Sequence, residues 1–151
     1  MAVETPLSIL FVCRDNSALS LMAEAATMHL HRPVRAFSAG LTARGLVDVA
    51  ALECLHAARI PADGLSTKPV ELFGFSGAPR IDLVVGLVEA VHAPLRRLES
   101  LAPARLTFWS LEDATHRSEA HARRLAYRRL LPELLARISD LVRGPGLASA
   151  A

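Results

Sequence analysis

The residues best placed to do chemistry lie near the start of the chain. Cys13 follows the apolar run Leu7-Ser8-Ile9-Leu10-Phe11-Val12. Residues 13–20 (Cys13, Arg14, Asp15, Asn16, Ser17, Ala18, Leu19, Ser20) then form a loop before the helix-forming Leu21-Met22-Ala23-Glu24-Ala25-Ala26. The apolar run reads as a buried strand. Strand, loop and helix in that order aim backbone N–H groups and a helix N-terminus at one point, which attracts anions. A thiol at the strand end faces that field, which favours the thiolate, lowers the pKa and supplies a nucleophile. The plainer alternative is a buried structural thiol. Asn16 suits a loop position in the left-handed conformation. A second chemistry-bearing stretch, with Glu112 and Asp113, lies far along the chain.

To bring the two stretches together the chain needs a sheet whose strand ends share one edge. The pattern predicts a helix over 21–31 stopped by Pro33, a strand over 34–38, and a helical stripe over 45–59. Ser66-Thr67-Lys68-Pro69 has the composition of a helix start, with Ser66 or Thr67 as cap. A buried strand over 81–87, a short helical or irregular piece over 94–101, a strand over 105–109, a loop over 110–116 and a last helix over 117–143 complete the chain. Pro132 should kink or interrupt that last helix. Four strands alternating with helices predict an α/β fold: a three-layer sandwich around a four-stranded parallel sheet, doubly wound and flavodoxin-like. The loops following Cys13, Ser38, Leu87 and Ser110 would share its carboxyl edge. A single domain over 1–143 is expected, with residues 1–6 as a loose lead-in and 144–151 as a flexible tail.

Composition excludes several classes. The chain is 52% hydrophobic, which argues against disorder. A net charge of +2 falls short of a nucleic-acid footprint. No apolar run reaches the roughly eighteen residues of a membrane span, and no signal-peptide core precedes the first strand. Two cysteines are no disulfide framework, so a reduced, cytoplasmic protein is expected. His29 with His31, and His116 with His121, lack metal-site spacing, and no cofactor is expected.

Val12-Cys13, Asn16, Ser20 and Met22-Ala23-Glu24 keep the register of Val-Cys-x-x-Asn-x-x-Arg-Ser/Thr-x-Met-Ala-Glu. The chain thereby resembles the low-molecular-weight protein-tyrosine phosphatases and the related thioredoxin-coupled arsenate reductases. Ser38-Ala39-Gly40, Ser66-Thr67-Lys68, Ile81-Asp82-Leu83-Val84-Val85 and Phe108-Trp109-Ser110-Leu111-Glu112-Asp113-Ala114 also resemble family segments, in order. The resemblance implies that fold, with Cys13 as nucleophile, Ser20 bonding the thiolate and Asp113 as general acid. It also shows departures. Leu19 stands where the family has its loop arginine, Asp15 where a glycine is usual, and Ala114 where a proline follows the acid. The relay cysteines of the reductases are missing from residues 87–94.

In the phosphatases thus resembled, loop amides and the arginine hold the phosphoryl oxygens while the thiolate attacks phosphorus. Such transfer depends on positioning and charge. Leu19 supplies neither charge nor donor, and an inward Asp15 would repel both thiolate and phosphate. Arg14 is the arginine nearest in sequence to replace the lost one; the alternative is pairing with Asp15 or reaching solvent. Plainer readings make Ser20 the N-cap of the first helix, Asp113 a cap of the last, Lys68 a surface residue and Cys54 core. The arginines of the last helix (Arg117, Arg123, Arg124, Arg128, Arg129, Arg137) read as a solvated face. Three functions compete. The first is a phosphatase relative with impaired hydrolysis that binds an oxyanion or a phosphoprotein. The second is an active phosphatase using Cys13, Asp113 and Arg14. The third is a redox enzyme using Cys13 and Cys54. A monomer or homodimer, with no nucleic-acid or membrane partner, is expected in each case.

Overall fold

The computed structural model describes residues 6–101 and 104–144. Four strands, β1 (Ser8–Cys13), β2 (Arg35–Gly40), β3 (Leu83–Gly86) and β4 (Arg105–Phe108), pair in parallel in the order β2-β1-β3-β4. Every residue of β1 and β3 is buried, on both faces of the sheet, as their continuous apolar sequence requires. β4, at one edge, is partly exposed. This is the doubly wound parallel sheet that the sequence predicts. Its chain order reverses between β1 and β3, and crevices in such sheets form at that point, outside the carboxyl ends of the strands.

Among the described residues four helices flank the sheet: α1 (Leu19–Leu30), α2 (Val49–Ala57), α3 (His92–Arg96) and α4 (Ala120–Arg143). α4 packs against both α1 and α2. Its buried residues Tyr127, Leu130, Leu131, Leu134 and Ile138 recur at helical spacing. Pro132 lies inside it on the exposed side and does not interrupt it. The long buried face on either side holds the helix together across the missing N–H.

Several boundaries differ from expectation for identifiable reasons. α1 starts two residues early, at Leu19, because Ala18 rather than Ser20 occupies the N-cap position. α2 starts at Val49, since Asp48 caps it by accepting the Ala50 N–H at 3.0 Å. Residues 45–48 are therefore loop. The stretch from Ser66 gives only a 3-10 turn at Val70–Gly74. Its backbone is engaged elsewhere: Pro69 bridges Gly40 beside β2, and the Lys68 carbonyl accepts the Gly40 N–H at 2.9 Å. β3 is shorter at its start because Asp82 exchanges bonds with Ser8: its N–H donates to the Ser8 carbonyl and its carboxylate accepts the Ser8 N–H. The tail expected after Gly144 and most of the lead-in lie outside the described residues.

Candidate functional site

The loop after β1 is built around Asn16. Its φ of 56° is the left-handed conformation anticipated for it, and its side chain is fully buried. Asn16 Nδ2 donates to Ser20 Oγ at 2.8 Å, and Asn16 Oδ1 accepts the Lys68 N–H at 2.9 Å. One amide thus joins the loop, the start of α1 and the segment beside β2. Gly40 allows the loop to lie there: a Cβ at that position would stand 2.8 Å from Asn16 N and from the Asp15 carbonyl carbon. Lys68 is partly buried rather than a free surface residue. Its ammonium donates to the Ser66 carbonyl and to Ser38 Oγ, which itself donates to Glu24 at 2.6 Å. Burial pushes the Lys68 pKa down, and the nearby Glu24 carboxylate opposes this.

Cys13 ends β1 beneath this loop, 7% exposed. Ser20 hydrogen-bonds its sulfur through both side chain and backbone. The first turn of α1 has no side-chain cap, so no capping side chain occupies its leading amides. The thiol nevertheless departs from the sequence expectation. Burial pushes its pKa from 9.0 up to about 12; the Ser20 bonds pull it down, and the carboxylates of Asp113 and Asp15 add to the rise. Desolvation of the charged form outweighs the hydrogen bonds. Leu19 is 1% exposed and belongs to the apolar core, so its position offers the loop no donor. Asp15 turns back on its own loop and accepts the N–H and the hydroxyl of Ser17.

Asp113 is carried to this edge by backbone bonds from Trp109 N–H to the Gly86 carbonyl and from Leu111 N–H to the Leu87 carbonyl. It begins a 3-10 turn, Ala114–His116, and does not cap α4, which starts after Glu119. The structure brings Arg14 and Asp113 together: Arg14 Nε donates to Asp113 Oδ2 at 2.7 Å. Arg14 Nη2 also donates to His116 Nδ1 at 3.0 Å, while His116 Nε2 lies 3.3 Å from the same Asp113 oxygen. Thr115 Oγ1 donates to Asp113 Oδ1 at 2.6 Å. Both carboxylate oxygens are therefore acceptors, and Arg14 is held by the acid rather than by Asp15 or solvent.

Several of the arginines expected on a solvated face carry ion pairs, although Arg117, which precedes α4, Arg128 and Arg129 are exposed. Arg123 pairs with Asp48 at 2.8 Å, Arg124 with Glu53 at 2.6 Å, and Arg117 and Arg129 both reach Glu112. Asp48 also accepts the Tyr127 hydroxyl at 2.8 Å, and its N–H donates to the Ser17 carbonyl, which ties α4 and α2 to the loop. The aspartate and the loss of hydration push the Tyr127 pKa up, burial most of all. Sequence reading missed Arg44. It lies on the connection between β2 and α2, lines a groove of about 290 Å³ with Arg14, Asp15, Leu41, Thr42 and Ala90, and has no side-chain partner among the described residues. Only the sheet order places it beside residues 13–20. Cys54 is buried on α2, as expected, and burial raises its pKa. Among the described residues no His, Cys, Asp and Glu group could hold a metal ion, and no helix is long and apolar enough to cross a membrane.

A parallel sheet of order β2-β1-β3-β4 with a cysteine-headed loop between the first strand and first helix defines a class of doubly wound α/β proteins. The sequence profile of the low molecular weight phosphotyrosine protein phosphatases matches residues 8–123, and the chain belongs to that family. No curated protein matches it significantly. Among solved structures it is similar to an arsenate reductase from Archaeoglobus fulgidus DSM 4304, 28% identical, covering 89% of this chain and 98% of that one, with a TM-score of 0.68. It shares its fold with a low molecular weight protein tyrosine phosphatase from T. tengcongensis (22% identity, 90% and 97% coverage, TM-score 0.72). The same holds for Vibrio vulnificus Wzb in complex with benzylphosphonate (18% identity, 90% and 99% coverage, TM-score 0.72).

Proposed function

We propose that this chain is a phosphatase-family protein that keeps an oxyanion-binding loop over residues 13–20 and has lost most phosphomonoester hydrolysis. The observation that carries this reading is Leu19 sealed in the core where the family has its arginine. Losing one preorganised donor costs about a hundred- to a thousandfold in rate, and losing a catalytic arginine can cost more. Two further features support it. The Cys13 thiol is raised to about 12, so little thiolate exists at neutral pH. Asp113 accepts bonds from Arg14 and Thr115, so reaching a leaving oxygen means giving up contacts it already makes. The loop itself is fully assembled through Asn16, Ser20 and the Lys68 backbone, which supports retained binding of phosphate or the phosphate of a phosphoprotein. Two free cysteines fit a reducing, cytoplasmic setting. The test is turnover of an aryl phosphate beside calorimetric binding of inorganic phosphate: binding with negligible turnover is expected, and brisk turnover abolished by Cys13→Ser would overturn the reading.

The Arg14–Asp113 contact favours one alternative, an active enzyme in which Arg14 supplies the cation and Asp113 the acid once a substrate parts them. In that case Arg14→Ala abolishes a measurable rate; a rate left untouched removes this version.

A further inference from the structure

We infer that Arg44 is the cation that recognises the oxyanion at this loop, in place of the guanidinium missing at position 19. The inference rests on the reading that the loop still binds oxyanions. Three observations carry it.

The first is placement. Arg44 lines two adjoining grooves. One holds Arg14, Asp15 and Thr42; the other, of about 550 Å³, holds Asp15, Ser17, Asp48, Thr115 and Arg123. Both open against residues of the Cys13 loop.

The second is availability. The other arginines of these grooves are already engaged: Arg14 with Asp113 and His116, Arg123 with Asp48, Arg124 with Glu53. Arg44 has no acidic or hydrogen-bond partner among the described residues and is exposed. A guanidinium held by none of the described residues offers an oxyanion a two-pronged, charge-assisted contact without first breaking an ion pair among them.

The third is how its segment is strapped. The Leu41 N–H donates to the Cys13 carbonyl, the Thr42 N–H to the Arg14 carbonyl at 2.7 Å, and the Asp48 N–H to the Ser17 carbonyl at 2.8 Å. Both ends of the segment are thus pinned to the anion loop itself. Between them Gly45 adopts φ +78°, with nothing within 4 Å of where a Cβ would stand, and Arg44 beside it is exposed.

The experiment is isothermal calorimetry of inorganic phosphate, and then phenyl phosphate, against wild type, Arg44→Ala, Arg44→Lys and Arg14→Ala, with the melting temperature of each free protein. Arg44→Ala should weaken phosphate binding about ten- to a hundredfold, the range for hydrogen bonds to a charged group. It should leave the free protein's melting temperature unchanged, because the side chain is exposed and has no partner among the described residues. Arg44→Lys should recover part of the affinity, and added salt should narrow the gap between wild type and Arg44→Ala. Wild-type affinity in Arg44→Ala overturns the inference and leaves the oxyanion-binding reading standing. A large loss confined to Arg14→Ala assigns the cation to Arg14 and likewise overturns it. No phosphate binding by the wild type removes the oxyanion-binding reading and this inference together.

Discussion

The ionisation of Cys13 is the most quantitative consequence of the structure. Burial raises the thiol from 9.0 to about 12. At any pH below 9 that lowers the thiolate population about a thousandfold relative to an ordinary cysteine, equivalent to about 4 kcal/mol. Alkylation by iodoacetamide proceeds through the thiolate, so its rate reads this population directly. The assay is mass-spectrometric peptide mapping of the Cys13 peptide over a pH series, which separates it from Cys54. The predicted rate at pH 7 is about a thousandfold or more below that of a free thiol. It should climb tenfold per pH unit with no plateau up to pH 10. Restricted access alone slows alkylation but leaves the plateau of an ordinary thiol, so the slope above pH 9 distinguishes the two. The same group links stability to pH. Its folded value lies above the unfolded one, so its contribution is intact below about pH 9 and is lost as the pH rises toward 12. Rapid alkylation at pH 6 with an early plateau would refute the reasoning, because it would mean the loop amides and helix N-terminus outweigh burial after all.

Other consequences are accessible by mutation. Leu19→Arg places a guanidinium at a core position and should lower stability by several kcal/mol, about 3, in chemical denaturation. Saturating phosphate should recover part of that loss if the new side chain turns into the loop; a neutral change would show that the position is not sealed. Asn16→Ala removes one buried and one part-buried bond and leaves a left-handed alanine, so a loss of about 2–4 kcal/mol is expected in urea unfolding. Less than about 1 kcal/mol would mean the loop is held by something else. Pro132→Ala restores an N–H at an exposed helical site and should raise stability by about 1–3 kcal/mol, read as a shift of the urea midpoint. No shift would show that the helix has already adapted to the ring.

What could be read from the chain alone followed from local rules. Ile9-Leu10-Phe11-Val12 and Leu83-Val84-Val85 are buried on both faces, and unbroken apolar runs signal that without knowledge of their partners. Asn16 was legible because few residue types tolerate its backbone conformation. The features that decide the electrostatics were not legible. Whether Arg14 turns to Asp15, to solvent or to Asp113 depends on contacts made across the sheet, between residues far apart in sequence. The thiol was expected to be activated because helix ends and amides can be read from sequence, whereas the extent of desolvation around one sulfur cannot. Lys68 looked like a surface residue until Glu24 and Ser38, from a helix and a strand, closed around it. Arg44 directly precedes the stretch that reads as a helix from residue 45. Only the cap at Asp48 and the three backbone bonds to the Cys13 loop turn that stretch into a rim. The ion pairs of α4 were hidden for the same reason, since Asp48, Glu53 and Glu112 come from elsewhere in the chain.

The loop geometry without its guanidinium is the centre of the account, and turnover of p-nitrophenyl phosphate by the purified protein between pH 5 and 7 tests it most directly. Hydrolysis indistinguishable from that of Cys13→Ser is the predicted result. A robust rate in the wild type that disappears in Cys13→Ser would contradict it.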